Sequence, residues 1–294
     1  MEENEKQSFL SGANHSRISL GQSYWYGESV EVWSAIFQDN SVVAFKIYEK
    51  TAELKLIAEH EYQTASIFKN PNILKPIGKL EYEGHSIVVF PYCEGRSVDC
   101  VAGHVSVRMI WRLIHDICSA LDCIHSAGYI HHNVNPSNIL WDGKQFLLTG
   151  FSLCSPSHSC MDDKHSICRN SHRFTAPEVL PDASSMTDVW SLGATIFHLY
   201  MGSFVFNGLG GRAQHYGSPL PYMRKSLPAL SNLVQQCLSF NPDDRPTAHE
   251  IYGLARMELD KVLSVNEGRK LKKSIIPYSN ERKADFWPDE MIEI

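Results

Sequence analysis

Between Tyr129 and Leu140 the chain reads Tyr-Ile-His-His-Asn-Val-Asn-Pro-Ser-Asn-Ile-Leu, so two histidines stand beside asparagines at 133, 135 and 138. A carboxamide hydrogen-bonds a hydroxyl but cannot hold its proton, so these residue types can orient a nucleophile without acting as its base. A second grouping, Cys154, His158, Cys160, His165, Cys168 and His172, offers thiolate and imidazole, the ligands zinc prefers. It has no paired C-x-x-C spacing, and free side chains on a mobile loop are the stronger reading. Lys46 is followed by Glu59 and Glu61. A lone lysine and glutamate usually form a solvated pair.

These residues need elements to hold them. Three β-rich runs, near Ile18–Leu20, Val30–Phe37 and Val42–Tyr48, precede a helical pattern over Ala52–Lys69. The second and third runs are separated by a turn at Asp39-Asn40. Asn72-Ile73-Leu74 reads as the start of a strand, Tyr82-Glu83-Gly84 as a turn, and Ser86–Phe90 as an apolar strand. Ser106 caps a long amphipathic helix whose stripe is Val107, Ile110, Leu113, Ile114, Ile117, Leu121 and Ile124, and which Gly128 ends. Asp142-Gly143 turns a hairpin, and Val189–Phe206 reads as a buried helix and its exit. Gly208–Gly211 reads as a flexible loop with no helix directly after it, and Leu227–Phe240 and Ala248–Leu263 as the last two helices.

In this order, the motifs resemble those of the eukaryotic-type protein kinase family, serine/threonine type. Residues 129–140 align with its catalytic loop, Y-I-H-R-D-L-K-P-x-N-I-L; His131, Pro136, Asn138, Ile139 and Leu140 match. His132 stands for the arginine, Asn133 for the catalytic aspartate and Asn135 for the lysine. Val43-Ala44-Phe45-Lys46 matches V-A-I-K, whose lysine reaches the α- and β-phosphates and pairs with a helix glutamate. Glu61 has the family's spacing before Pro71-Asn72-Ile73, and Glu59 is the rival. Phe146–Leu153 aligns with the strand and D-F-G triplet, with Gly150 for the aspartate, Phe151 retained and Ser152 for the glycine. Ala176-Pro177-Glu178, Asp188–Gly193 and Asn241–Pro246 match three architectural motifs, which imply a buried Glu178–Arg245 pair; the catalytic-loop resemblance implies a structural His131.

The glycine loop G-x-G-x-x-G-x-V does not survive: Gly21 and Gly27 are out of register with Val30. An aromatic hairpin is the stronger reading, with Tyr24, Trp25 and Tyr26 filling the space. Phe90 takes the gatekeeper position and Pro91–Gly95 the hinge. Backbone groups of Pro91 to Cys93 would face an adenine edge, Pro91 through its carbonyl alone. A lobe connector that never meets a nucleotide is the alternative.

The resemblance implies an α+β, protein-kinase-like two-lobed fold. The β-rich N-lobe spans 18–90, the hinge 91–95 and the helical C-lobe 96–263, between a polar arm (1–17) and a C-terminal tail (264–294). It also implies what has been lost. The loop carboxylate that accepts the substrate proton is typically worth ~10²–10⁴ in rate. Asn135 removes a cation from the transferring phosphoryl. Gly150 removes a magnesium carboxylate and leaves Asn138 as a weak metal ligand. The expected function is that of a pseudokinase, a regulatory or scaffolding module that works through a protein partner. ATP would bind weakly through Lys46, Glu61, Pro91, Cys93 and Asn138, with magnesium weak or absent. An active ATP-dependent serine/threonine kinase with a non-standard site is the alternative. A third reading is an interaction module whose pocket Tyr24–Tyr26 close.

Composition agrees. The chain of 294 residues is 43% hydrophobic and 20% charged, ordinary for a globular protein. A net charge of −6 gives no footprint for nucleic acid. Met1–Lys6 lacks the apolar core of a signal peptide, no run reads as a membrane span, and eight scattered cysteines suit a reduced, cytoplasmic setting. Lys270, Lys272 and Lys273 form a basic cluster, and the aromatic end Phe286–Ile294 is expected to dock on this domain or a partner.

Overall fold

The computed structural model describes residues 18–26, 29–37, 40–93, 97–157, 171–178, 183–223 and 227–267. They divide into two compact units that are not contiguous in sequence. Thr149–Ser152 joins the first unit, and Asn70–Asn72 joins the second.

The first unit is a five-stranded antiparallel sheet in the order β1-β2-β3-β5-β4. Its strands are β1 (Ile18–Tyr26), β2 (Val30–Phe37), β3 (Val42–Tyr48), β4 (Gly78–Tyr82) and β5 (His85–Pro91). Strand alternation sorts the side chains of β3. Phe45 and Ile47 join Ala35, Tyr82, Ile87 and Val89 in an apolar core, which leaves Lys46 and Tyr48 on the opposite face. One helix, α1 (Ala52–Ile67), follows at once, with Thr51 Oγ1 accepting from Leu54 N at 3.1 Å.

One expected strand is absent. Asn72 lies in a turn and Ile73 in a lone β-bridge, and β4 begins only at Gly78. The reason is that Asn72 is bonded elsewhere: its Nδ2 donates to Phe146 O at 3.1 Å and its carbonyl accepts from Leu148 N at 2.8 Å.

The second unit is helical. Helix α2 (Val107–Ser126) starts where Ser106 Oγ accepts from Met109 N at 3.3 Å. It buries Ile110, Leu113, Ile114, Ile117, Leu121 and Ile124 and packs against the last helix. Gly128, at φ +76°, ends it, as only glycine does without strain. The chain then forms β6 (Tyr129–Ile130) and a hairpin of β7 (Ile139–Trp141) and β8 (Phe146–Leu148), while β9 (Ser155–Pro156) pairs back with β6. Helix α3 (Ser185–Met201) opens with a capping box between Ser184 and Thr187 and is buried along most of its length. It lies so close to α5 (Pro228–Cys237) that a Cβ on Gly193 would stand 2.6 Å from Cys237 Cβ.

Helix α5 stops short of the expected Phe240: its end tightens, Ser239 N donating to Gln236 O at 3.1 Å, and the carbonyls of Ser239 and Phe240 accept from Arg245. The last helix, α6 (Ala248–Glu267), runs past Leu263. The expectation for Gly208–Gly211 also changes. A short helix, α4 (Arg212–His215), follows directly. A Cβ on Gly210 would meet His172 O at 2.1 Å, and one on Gly211 would meet Pro177 N at 2.1 Å. These glycines allow two backbones to touch. Among the described residues, an antiparallel sheet with one helix, and a helical unit, constitute the α+β two-lobed fold. Among the described residues, no helix is long and apolar enough to cross a membrane.

Candidate functional site

In the first unit, Lys46 on β3 and Glu61 on α1 meet. Lys46 Nζ donates to both carboxylate oxygens, at 2.8 and 2.7 Å. Glu61 is fully buried and the Lys46 side chain is 20% exposed, so this is no solvated surface pair. The hydroxyl of Tyr48, two residues along the same strand face, also donates to Glu61 Oε2. The rival Glu59 is occupied elsewhere, paired with Lys79 and accepting from Gln63 Nε2 at 2.6 Å.

Strand β1 continues to Tyr26 through the segment that aligns with the family's glycine loop, with irregular pairing on either side of Ser23. Gln22 N donates to Ser34 Oγ at 2.8 Å, so that amide is turned to a neighbouring strand. Gly21 fits against Ser34, whose Oγ would lie 2.5 Å from an added Cβ. The side chains of Tyr24–Tyr26, and Gly27 itself, lie outside the described residues. Phe90 is buried and Pro91 is the last residue of β5, opposite Val43. Cys93 is half-buried, and Glu94 and Gly95 lie outside the described residues. Gly150 has φ +84°, and Phe151 is buried against Phe68, ring centroids 5.8 Å apart.

In the second unit, the 129–140 stretch is held from below by one carboxylate. Asp188 Oδ2 accepts from His131 N at 2.8 Å and lies 2.8 Å from His125 Nε2; Oδ1 accepts from His132 N at 2.8 Å. Burial alone would raise the pKa of this fully enclosed acid. The hydrogen bond from His125 and the nearby histidines outweigh it and hold Asp188 below the usual carboxylate value. His131 is buried, as a structural residue should be, and its Nδ1 accepts from Asn133 N at 3.3 Å. His132 takes a left-handed backbone, φ +62°, with Nε2 3.1 Å from Ser155 Oγ.

The three asparagines bond to one another. Asn135 Nδ2 donates to Asn133 Oδ1 at 2.8 Å and to Asn133 O at 3.0 Å. Asn138 Nδ2 donates to that same carbonyl at 2.8 Å, and Asn135 Oδ1 accepts from Ser137 N at 3.0 Å. The loop therefore keeps its shape through amide contacts. Its side-chain acceptor at 133 is neutral and already engaged.

Residues 20–254 match the model of the protein kinase domain. The chain belongs to the protein kinase family. It is 24% identical over 222 residues to mouse Sperm motility kinase 1, covering 71% of this chain and 45% of that protein. It is 29% identical over 204 residues to CBL-interacting protein kinase 33 of Oryza sativa subsp. japonica, covering 65% and 45%. With a probable serine/threonine-protein kinase of Dictyostelium discoideum it shares 24% identity over 246 residues, 79% of this chain and 38% of that one. The chain thus spans under half the length of these relatives.

For a kinase domain, the architectural pair is intact. Arg245 Nη2 donates to Glu178 Oε2 at 2.8 Å and Nη1 to Oε1. The remaining guanidinium donors go to the carbonyls of Met186 (2.9 Å), Ser239 (2.8 Å) and Phe240 (3.1 Å). Magnesium, which the family usually employs, is a different matter. Gly150 offers no side-chain ligand atom, and the amide of Asn138 is neutral and tied by its nitrogen to the loop. This donor set does not fit a hard divalent cation. Among the described residues, no group of three or more His, Cys, Asp and Glu could hold a metal. Of the cysteine and histidine grouping, Cys154 is buried rather than on a loose loop, with its thiol pKa raised by burial. His172 is exposed, and the other four lie outside the described residues.

Two participants were not foreseen in these roles. Asp188 served in the sequence only as part of a motif; its signal was a charge at the head of an apolar run. Tyr48 left no signal beyond its place two residues after Lys46.

Proposed function

We propose that this protein kinase domain is a pseudokinase, a regulatory or scaffolding module with little or no phosphoryl transfer. One observation carries the reading: neither chemical position holds a carboxylate. At 133 an amide is engaged by Asn135, and at 150 there is no side chain. A loop without its base forfeits a typical ~10²–10⁴ in rate, and the missing metal ligand bears on the same transition state. What remains is binding. Lys46, oriented by Glu61, is a cation suited to the phosphates of ATP; the carbonyl of Pro91 and the backbone of Cys93 suit an adenine edge; Asn138 is at most a weak polar contact. The output is to a protein partner, in the cytoplasm, with neither nucleic acid nor membrane involved.

The second reading, an active ATP-dependent serine/threonine kinase with a non-standard site, is favoured by the Lys46–Glu61 pair. That pair is one of the two arrangements an active kinase requires. Thermal melts with ATP separate the readings. A ligand that binds only the native state raises the melting temperature. The pseudokinase reading expects a small rise that is the same with and without magnesium. A large rise that appears only with magnesium supports the active enzyme.

A further inference from the structure

We infer that Tyr48 is a second latch on Glu61, one that keeps α1 docked on the sheet without help from Lys46 or a nucleotide. The starting observation is how little apolar surface holds this helix. Its buried positions are Leu54, Ala58, Glu61, Thr64 and Ala65, with Ile57 half-buried and Phe68 buried just past its end, while Leu56 and Ile67 are exposed. One leucine and two alanines bury much less than the stripe of α2, so polar contacts carry a larger share of the attachment. The central contact is a carboxylate with no exposure, and such a group must have its charge compensated and its lone pairs filled.

Lys46 supplies the charge. Tyr48 supplies a further donor, and its position follows from strand geometry. Residues two apart on β3 point to one face, so the ring at 48 stands beside the ammonium at 46, with Lys46 Nζ 5.5 Å from the ring centroid. The ring itself is buried, 1% exposed. Thr51 fixes the start of α1 within three residues of Tyr48, and Glu61 lies in the third turn. The Tyr48–Glu61 bond therefore pins the helix far from its tethered end. A hydroxyl donating to a carboxylate is among the stronger hydrogen bonds. An α1 latched twice is biased towards one position whatever Lys46 is doing. The inference does not depend on whether the chain transfers phosphate.

Hydrogen–deuterium exchange on the full chain tests it, comparing parent, Tyr48→Phe, Lys46→Met and the double variant. Peptides from α1 are read against β3, β5 and α3 in the same protein. Tyr48→Phe keeps the ring and removes the latch, so α1 exchange should quicken about tenfold while β3 and β5 stay unchanged. Lys46→Met alone should leave α1 largely protected, and the double variant should lose protection by more than the product of the single effects. If Lys46→Met does not fold, Glu61→Gln replaces it. That change removes the charge pairing but keeps an acceptor for Tyr48, so α1 should stay protected until Tyr48→Phe is added. If Tyr48→Phe leaves α1 within twofold of the parent in every background, or quickens β3 and β5 equally, Tyr48 is packing only and the inference fails.

Discussion

Two polar clusters of the helical unit have diverged in opposite ways. At Glu178–Arg245 both charges are present. The arginine side chain has no exposure, and its donors reach Glu178 and three carbonyls. At Asn133–Asn135–Asn138, a stretch where the family has an aspartate and a lysine holds only amides, closed upon themselves. The first cluster holds α5, the α5–α6 connection and the start of α3 together. The second keeps a loop in shape through amide hydrogen bonds. In this unit the charged architectural pair is kept, while the catalytic-loop positions 133 and 135 carry amides where the family motif has charges.

The largest expected effect breaks the first cluster. Arg245→Ala leaves Glu178 and three carbonyls short of donors in a mostly buried place, a loss of ~3–5 kcal/mol. In a denaturant or thermal melt it should unfold the chain or lower its midpoint steeply. A midpoint close to the parent's would remove the distinction between the clusters.

Next comes Asp188, which binds the degenerate loop to α3. Asp188→Asn replaces an acceptor of backbone bonds by a group with one acceptor and two donors, costing ~1.5–3 kcal/mol. Its folded pKa is depressed. The stability it confers is therefore present above the unfolded value, near 3.8, and lost as pH falls through the lower folded value. The gap between parent and variant in urea melts should hold from neutral pH down to ~5 and narrow towards pH ~3. A gap that widens on acidification would contradict the assignment of an ionised Asp188.

Both clusters show how far residue types alone reach. The Glu178–Arg245 pair, the Lys46–Glu61 pair, the α2 stripe and the structural His131 follow from motif order and spacing, because each depends on which residues lie on which face. What the sequence left open depended on close contact. Gly208–Gly211 looks like a flexible loop, since the missing Cβ that frees a backbone is also what lets Gly210 and Gly211 press on His172 and Pro177. Asn72-Ile73-Leu74 has strand-like residues, but its hydrogen bonds go to Phe146 and Leu148. Asn133 and Asn135 could be named as substitutions, yet their mutual bond needs coordinates.

A smaller change is expected from partial repair. Asn133→Asp restores a proton acceptor and Gly150→Asp a metal ligand. At φ +84° the new side chain at 150 costs ~1–2 kcal/mol of strain. Asn135 still supplies no cation, and Gln22 N still faces Ser34. Catalytic groups that act as a unit are strongly non-additive. The double variant should therefore stay well below ordinary kinase turnover of ~1–100 s⁻¹. Recovery to that range would show that these two positions were the only defects.

The central claim, that this kinase domain transfers little or no phosphate, is tested most directly with radiolabelled ATP. Incorporation into the chain itself and into a generic protein substrate is followed for the parent and for Lys46→Ala, with magnesium present. Incorporation by the parent should match that by Lys46→Ala. Incorporation by the parent that Lys46→Ala abolishes would contradict it and establish the active kinase in its place.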